Sequence, residues 1–299
     1  MPILITGATG FIGSRLLARL TAAGGNCHAV SRRPGSLPLG ATFVQADLRQ
    51  PDEAAAVVRS IRPRLLFHCA MMAGHPNTGQ ERLEALQTSV LGTAALAEAA
   101  AECGTQRFVF TGSFLVYRRQ RGALAETSPM EPHTFRGAAK AGAALWLQQF
   151  ARSCAFPAVE LRIFSVYGPG EPQRRFIPTL LRAAAAGSPM PLLPGPSHDF
   201  VHVDDVVTAA LAAAGTPLPP GAVFNIAGGR SWRNEEVVEA AARALGRPIQ
   251  VDRNAYPPSP ADASSWLADI SAAAAGLGWK PAYTLEDGLR QTFEEACLA

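Results

Sequence analysis

The sequence of 299 residues has neither a long apolar run nor a closely spaced cysteine pair. No stretch approaches the roughly 20 uninterrupted apolar residues that cross a bilayer, and no charged leader precedes an apolar segment, so neither a membrane anchor nor an export signal is expected. The five cysteines are odd in number and none forms a CxxC motif. Free thiols and a cytoplasmic location are therefore predicted, with no metal site.

An excess of either charge is also missing, since 27 basic and 24 acidic residues leave a net charge of +3. The charges are spread along the chain, so we expect no nucleic-acid or membrane partner. Lysine is scarce: Lys140 and Lys280 are the only two, and arginine supplies the other basic residues. A lysine within a motif therefore stands out from the background.

Strand-like runs alternate with alanine-rich helical segments through the first half of the chain. The runs cover 3–6, 27–31, 42–46, 65–70, 107–111 and 159–164, and the helical segments cover 11–23, 50–60, 80–103 and 136–154. This alternation predicts an α/β fold, a Rossmann-like doubly wound parallel sheet, in an NADP(H)-binding domain over 1–165. Proline-rich loops after residue 165 predict a smaller C-terminal substrate-binding lobe over 166–299, with some segments returning to the sheet.

A glycine turn follows the first strand, where Gly7, Gly10 and Gly13 are spaced G-x-x-G-x-x-G. The first glycine permits a tight turn, the second lets a pyrophosphate approach the backbone, and the third lets the helix pack against the sheet. Amides at the start of this helix can then donate to phosphate. A tight turn without a ligand is the alternative. The predicted pyrophosphate-binding residues are Gly7, Thr9, Gly10, Phe11, Ile12 and Gly13.

The end of the second strand bears on which dinucleotide binds. An NAD-selective enzyme usually has an acidic residue here that accepts from the ribose 2′-hydroxyl, whereas this chain has Ser31, Arg32 and Arg33. Guanidinium groups suit a 2′-phosphate because they donate charged hydrogen bonds. NADP(H) is therefore the predicted cofactor, and a solvated basic turn is the alternative. After the third strand, Asp47 and Leu48 are predicted to contact the adenine.

With these segments in place, the chain resembles the extended short-chain dehydrogenase/reductase family over almost its whole length. The matching segments are 6–13, 47–48, 68–70, 92–93, 113 with 116–117, 161–162, 166–170, 199–205 and 224–229. The resemblance implies a Rossmann domain, a nicotinamide cofactor and a C-terminal substrate lobe. It also implies that Ala70 and Met71, after the fourth strand, lie in the cofactor site.

The tyrosine that members of this family use for catalysis is missing. Members normally combine a serine with a Y-x-x-x-K motif, but none of the four tyrosines here has a lysine four residues later. The corresponding segment keeps Lys140 and has Arg136 in place of the tyrosine. An arginine is a poor proton donor near neutral pH. The resemblance therefore leaves Ser113, toward a substrate carbonyl, and Lys140, toward the nicotinamide ribose, as the predicted catalytic residues.

Two further features bear on the substrate. His198 stands where many nucleotide-sugar members have an arginine that holds a diphosphate, and Met71 with Met72 offers adaptable apolar lining. Both features favour a neutral aromatic ketone over a nucleotide sugar. The missing proton would come from a hydroxyl of the substrate itself, with His75 and His133 as alternative relays.

The hypothesis that follows is an NADPH-dependent ketoreductase that reduces an angucyclinone-type aromatic polyketide in antibiotic biosynthesis. By Arg136 and the 31–33 turn, the chain is similar to tyrosine-less polyketide ketoreductases within the family. A non-catalytic NADP(H)-binding sensor is the first alternative. A nucleotide-sugar epimerase or dehydratase is ranked lowest, because those reactions depend on the absent tyrosine. The oligomeric state is left open.

Overall fold

The computed structural model describes residues 1–72, 74, 76–256 and 265–298. The chain forms two compact units. The first unit comprises Met1–Arg118, Ser128–Ile163 and Val207–Phe224, and the second comprises Arg119–Thr127, Phe164–Val206 and Asn225–Ala299. Segments of the two units therefore alternate along the sequence.

A seven-stranded sheet forms the centre of the first unit, with strand order β3-β2-β1-β4-β5-β6-β10. Its strands are β1 (Pro2–Thr6), β2 (Asn26–Ser31), β3 (Thr42–Gln45), β4 (Leu65–His68), β5 (Arg107–Thr111), β6 (Ala158–Ile163) and β10 (Ala222–Ile226). The pairs from β3 to β6 all run parallel, with Ile5 of β1 opposite Phe67 of β4, for example. This order is that of a doubly wound sheet, so the predicted Rossmann-like fold is confirmed.

Helices connect these strands and bury the sheet. They are α1 (Phe11–Ala22), α2 (Pro51–Ile61), α3 (Gly79–Leu86), α4 (Gly92–Glu102), α5 (Phe135–Ser153) and the later part of α7 (Val203–Gly215). Strands β5 and β6 are buried along their whole length, as expected for central strands of a covered parallel sheet. Leu66, Leu96 and Phe108 belong to one core cluster, and buried alanines such as Ala97 and Ala144 let the helices approach it closely.

One predicted helix is divided in the structure. The sequence indicates a helix over about 80–103, but a π-helical segment, Gln87–Leu91, separates α3 from α4. Gly92 begins α4 at a close approach, because a Cβ there would lie 2.6 Å from the carbonyl oxygen of Leu48. A π-turn inserts one residue into a helix and shifts the faces that follow it.

The second unit contains two small sheets and its own core. Its elements are β7 (Ser165–Tyr167), α6 (Phe176–Ala186), β8 (Met190–Pro191), β9 (Ser197–His202), β11 (Ser231–Arg233), α8 (Asn234–Leu245), β12 (Val251–Asp252), α9 (Ser271–Leu277) and α10 (Leu285–Leu298). The sheets are β11-β9-β7 and β12-β8. Tyr167, Leu180, Val237 and Leu289 belong to a buried cluster that joins α6, α8 and α10. Within the described ranges, every helix is too short or too polar to span a bilayer.

Candidate functional site

The candidate site lies at the carboxyl end of the central sheet, where the strand order reverses between β1 and β4. In open α/β sheets, ligands bind in the crevice at this reversal. The turns after the two strands touch: a Cβ on Gly7 would lie 2.6 Å from the amide nitrogen of Ala70 and 2.7 Å from the carbonyl carbon of Cys69. Gly7 also has a φ of +66°, which other residues adopt only at a cost. Position 7 therefore requires a glycine both for the close approach and for the positive φ.

The other two glycines of the turn have different surroundings. A Cβ on Gly13 would lie 2.1 Å from the carbonyl oxygen of Gly7, which is backbone and cannot yield. A Cβ on Gly10 would meet only that same oxygen, at 3.2 Å. Gly10 caps α1 without a side-chain hydrogen bond, so the amides of Phe11 and Ile12 have no intrahelical acceptor. The space beside Gly10 and these donors fit a pyrophosphate.

The end of β2 lies beside this turn. The hydroxyl oxygens of Thr9 and Ser31 are 3.2 Å apart, so two of the predicted cofactor residues are brought together. The side chains of Arg32 and Arg33 are exposed, and the backbone of Arg32 accepts a hydrogen bond from Gln45 Nε2 at 3.2 Å. Two exposed cations therefore stand next to the glycine turn.

Asp47 is held by Arg49, a residue that no sequence motif singles out. Arg49 donates from Nη2 to Asp47 Oδ2 at 2.6 Å and from its backbone amide to Oδ1 at 3.0 Å. These bonds hold the pKa of Asp47 below its ordinary value. Arg49 also pairs with Glu84 at 3.2 Å, and Leu48 beside it is buried. An ionised carboxylate can accept further hydrogen bonds, so the bonds from Arg49 are compatible with an adenine contact at Asp47. That contact stays a prediction.

His68 is a buried link among three elements at the site. Its Nδ1 is 2.6 Å from Thr6 Oγ1 at the end of β1, and its Nε2 is 2.9 Å from Thr93 Oγ1 in α4. Burial, with the nearby charge of Lys140, lowers the pKa of His68 to about 3. The imidazole is therefore neutral and positions β1, β4 and α4 relative to one another.

Ser113 and Lys140 both lie near the end of β5. Ser113 begins a 3₁₀ turn, Phe114–Val116, and its Oγ accepts a hydrogen bond from the amide of Leu115 at 3.3 Å. That bond uses the oxygen and not the hydroxyl hydrogen. Lys140 comes from α5, is 1% exposed, and donates from Nζ to the carbonyl oxygen of Thr111 at 2.8 Å. Of the two predicted catalytic residues, Ser113 thus follows the end of β5 in sequence and Lys140 contacts that end through Thr111.

The charge of Lys140 is unfavourable in these surroundings. Burial and the nearby guanidinium of Arg136 lower the pKa of Lys140 to about 7, against opposing contributions from Cys69 and Glu160. The Cys69 thiol is itself neutral, because burial raises its pKa to about 12. Near pH 7, a substantial fraction of Lys140 is therefore uncharged and has a lone pair that can accept a proton.

Arg136 lies in the first turn of α5, where Thr134 caps the helix. Its Nε is 3.2 Å from Met71 Sδ, so the residue in the tyrosine's place reaches the segment after β4. Tyr117, the tyrosine of the first unit, does not substitute for the missing phenol. It is fully buried, and its hydroxyl accepts a hydrogen bond from Arg162 Nη1 at 2.9 Å. His133 is exposed, and His75 lies outside the described residues.

The second unit has a cationic residue that sequence reasoning missed. His198 lies on β9 with Nδ1 3.2 Å from Ser165 Oγ, and burial together with the charge of Arg175 lowers the pKa of His198 to about 4. Arg175 pairs with Glu171 at 3.1 Å, and burial raises the pKa of Glu171 to about 7. No motif spacing singles out Arg175, since only the folded chain brings it near position 198.

The sequence profile of the NAD dependent epimerase/dehydratase family matches residues 3–227. The chain belongs to this family. UDP-glucose 4-epimerase of Mycolicibacterium smegmatis is 29% identical over 98% of this chain and 98% of its own length. The solved UDP-glucose 4-epimerase of Thermotoga maritima superposes with a TM-score of 0.89 and 26% identity, covering 100% of both chains. MoeE5, solved with UDP-glucose and NAD, has a TM-score of 0.84 and 32% identity, also over 100% of both chains.

These similarities correct the functional hypothesis. The similarity to tyrosine-less polyketide ketoreductases is wrong, and so is the hypothesis of an angucyclinone-type ketoreductase in antibiotic biosynthesis, because these relatives are enzymes of nucleotide sugars. An aromatic ketone substrate has no support, and the epimerase or dehydratase alternative is better supported. The error came from treating Arg136 and His198 as evidence about the substrate. These two residues indicate a different proton donor and a different local charge. Neither change by itself determines which ligand binds.

Proposed function

We propose that the chain binds a nicotinamide dinucleotide together with a nucleotide sugar and transfers a hydride between them, as an epimerase or dehydratase does. The main support is full-length similarity to enzymes of this kind, including MoeE5 with UDP-glucose or UDP-glucuronic acid and NAD. The fit of the glycine turn to a pyrophosphate adds to it, as does Lys140 at the same edge of the sheet. Arg175 is the proposed substitute for the diphosphate-binding arginine that His198 replaces.

In the proposed reaction, a carbinol carbon of the sugar becomes a ketone. When bound, the dinucleotide would accept the hydride from that carbon, and the hydroxyl proton has to pass to a side chain. Ser113 would hold the sugar oxygen by donating its hydroxyl hydrogen. Lys140, which is partly neutral near pH 7, would take the proton in place of the missing tyrosine. Return of the hydride and the proton restores the alcohol.

The proposed functional test is a binding and turnover assay with nucleotide sugars. Purified protein is incubated with NAD(H) or NADP(H) and with UDP-glucose, UDP-galactose or dTDP-glucose. Binding is followed by calorimetry and the products by proton NMR. We expect micromolar to millimolar binding of at least one nucleotide sugar, and an epimer or a keto sugar as product. Dinucleotide binding with no nucleotide-sugar binding at millimolar concentration would refute the proposed function.

NADP(H) is the proposed dinucleotide, because Arg32 and Arg33 stand exposed beside Ser31 at the end of β2. Replacing both arginines with alanine should weaken NADPH binding by roughly tenfold to a hundredfold. This corresponds to about one charge-assisted hydrogen bond of roughly 1.5–3 kcal/mol, because solvent screens the contacts of exposed side chains. NADH binding should change less than about twofold. Fluorescence titration of both reduced dinucleotides measures this, with Arg152→Ala as the control. An equal loss of affinity for both dinucleotides would show that the arginines do not recognise the 2′-phosphate.

A further inference from the structure

A cavity of about 550 Å³ opens at the amino end of the central sheet, at the edge opposite the glycine turn. This volume is within the usual range for a small-molecule site, and all the lining residues belong to the first unit. Six apolar residues of β1, β4, α1 and the end of α7 line it: Ile3, Leu20, Leu65, Phe67, Leu211 and Ala214. The wall therefore suits a ligand with an apolar body.

Two arginines are the charged side chains of this wall. Arg64 precedes β4 and Arg107 begins β5, and the carbonyl oxygen of Arg64 accepts from the amide of Arg107 at 3.4 Å. Arg64 is exposed, and its guanidinium donates to Gln106 Oε1 and, from Nη1, to Met1 Sδ at 2.6 Å. The described residues that line the cavity include no aspartate or glutamate. The cavity is therefore positively charged.

Arg107 is buried, and its charge has little compensation. The residue is only 8% exposed, and its Nη2 donates to the carbonyl oxygen of Thr216, just after α7, at 2.8 Å. Nε and Nη1 are shielded from solvent and have no hydrogen-bond acceptor within the described part of the chain. Burial lowers the pKa of Arg107 below its ordinary value, but a guanidinium keeps its proton. The protein thus holds an uncompensated cation beside an apolar cavity, which is costly.

A role in capping α7 does not account for this arrangement. The bond to Thr216 uses one N–H group, whereas a guanidinium carries five. A carboxylate would supply the missing acceptors, because its two oxygens match adjacent guanidinium N–H groups. A small rotation of the Arg107 side chain would turn these groups toward the cavity. One buried cation is neutralised by one negative charge, so a monoanion fits better than a phosphate dianion.

We infer that this cavity is a separate ligand site, for a small monocarboxylate with an apolar body. Arg107 pairs with the carboxylate, and the apolar wall buries the rest of the ligand. The site goes beyond the proposed function and does not depend on it. Strand β1 lies between the cavity and the glycine turn, and five strand residues span roughly 16 Å. The carboxylate and the dinucleotide therefore bind at the same time.

The binding test uses naphthoate and octanoate, with naphthalenemethanol as the neutral analogue, in calorimetry with NADPH present. We expect at least one carboxylate to bind about tenfold or more tightly than naphthalenemethanol, as a charge-assisted hydrogen bond provides. Arg107→Met should lose this preference. Arg152→Met, at an exposed position of α5, is the matched control and should keep it. Ala214→Trp fills the cavity while keeping Arg107, and should weaken binding of all three ligands.

A second measurement locates the ligand. Isoleucine ¹³C-methyl labelling gives one signal from Ile3, in the cavity, and one from Ile12, in the first turn of α1 beside the glycine turn. The variants Ile3→Val and Ile12→Val assign these signals. The bound carboxylate should shift the Ile3 signal and leave the Ile12 signal unchanged. The thermal midpoint establishes that each variant is folded.

Four results would each overturn the inference. They are no saturable binding of either carboxylate up to roughly 1 mM, equal affinity for naphthalenemethanol, tighter binding of naphthyl phosphate than of naphthoate, and a shift at Ile12 in place of Ile3. The last result would place the anion at the glycine turn. The nucleotide-sugar assay is a separate measurement, so the proposed function can fail while this site stands, and the reverse.

Discussion

Gly13→Ala should mainly destabilise the fold, whereas Gly10→Ala should mainly weaken dinucleotide binding, although both place a methyl group in the same turn. At position 13 the new Cβ would lie 2.1 Å from the Gly7 carbonyl oxygen, so the backbone of α1 or of the turn must move. We expect a loss of more than about 3 kcal/mol in the free energy of unfolding, at or beyond the upper end of ordinary overpacking. Chemical denaturation measures it.

At position 10, the new Cβ would meet one backbone oxygen at 3.2 Å and can be accommodated by a small shift. Stability should fall by about 1 kcal/mol or less, as for an alanine at a helix N-cap. Dinucleotide affinity should fall by about a hundredfold, because the methyl group occupies the place of the pyrophosphate. Gly215→Ala, with no atom near its Cβ, is the control. Wild-type dinucleotide affinity in Gly10→Ala would show that the pyrophosphate lies elsewhere.

Lys140→Met should slow turnover strongly and should also remove a pH-dependent destabilisation of the fold. Loss of a general acid–base group typically slows a reaction by about 10²–10⁴-fold, so we expect kcat to fall within that range. Because the pKa of Lys140 is about 7 in the folded chain, below its ordinary value of 10.5, the unfolded state binds the proton more tightly between those pH values. Wild-type stability therefore gains a contribution from Lys140 as pH rises from about 7 to about 10.5.

This contribution is measured as the difference between wild type and Lys140→Met in denaturation curves from pH 6 to pH 10. The difference cancels groups that titrate independently of Lys140. Cys69 is coupled to Lys140, and its raised pKa opposes stability above about pH 9, so the Lys140 contribution is read below that pH. At pH 7 the variant should be at least as stable as the wild type, because it no longer buries a charge. Lys280→Met removes an exposed lysine and should change neither turnover nor the pH dependence. If Lys140→Met retained full turnover, Lys140 would not be the proton acceptor.

Local patterns in the sequence were enough to predict the central fold. The alternation of strands and helices and the glycine turn are local signals, and they gave the doubly wound sheet. The division of 80–103 by a π-helical segment was missed, because no local pattern reports the close approach of Gly92 to Leu48 where that segment ends. The inclusion of Val207–Phe224 in the first unit depends on contacts between distant parts of the chain, and periodicity does not carry that information.

The site was predictable in its parts but not in its electrostatics. Motif positions singled out Ser113 and Lys140, and the structure places both at the end of β5. The burial that shifts the pKa of Lys140, and the engagement of Asp47 by Arg49, follow from neighbours that no spacing rule reveals. The substrate hypothesis failed for a related reason. It inferred the ligand from the identities of Arg136 and His198 alone, but the surroundings of these residues depend on the folded chain.

The reversal of strand order between β1 and β4 has a consequence for how such an enzyme can diversify. The residues proposed to choose the dinucleotide follow β2, on one side of the reversal, while Ser113 and Lys140 meet β5 on the other side. The two halves are joined by the pairing of β1 with β4 and by the packed turns at Gly7 and Ala70. Substitutions that change cofactor preference can therefore arise on one side of the reversal while the residues proposed for the reaction stay the same on the other side.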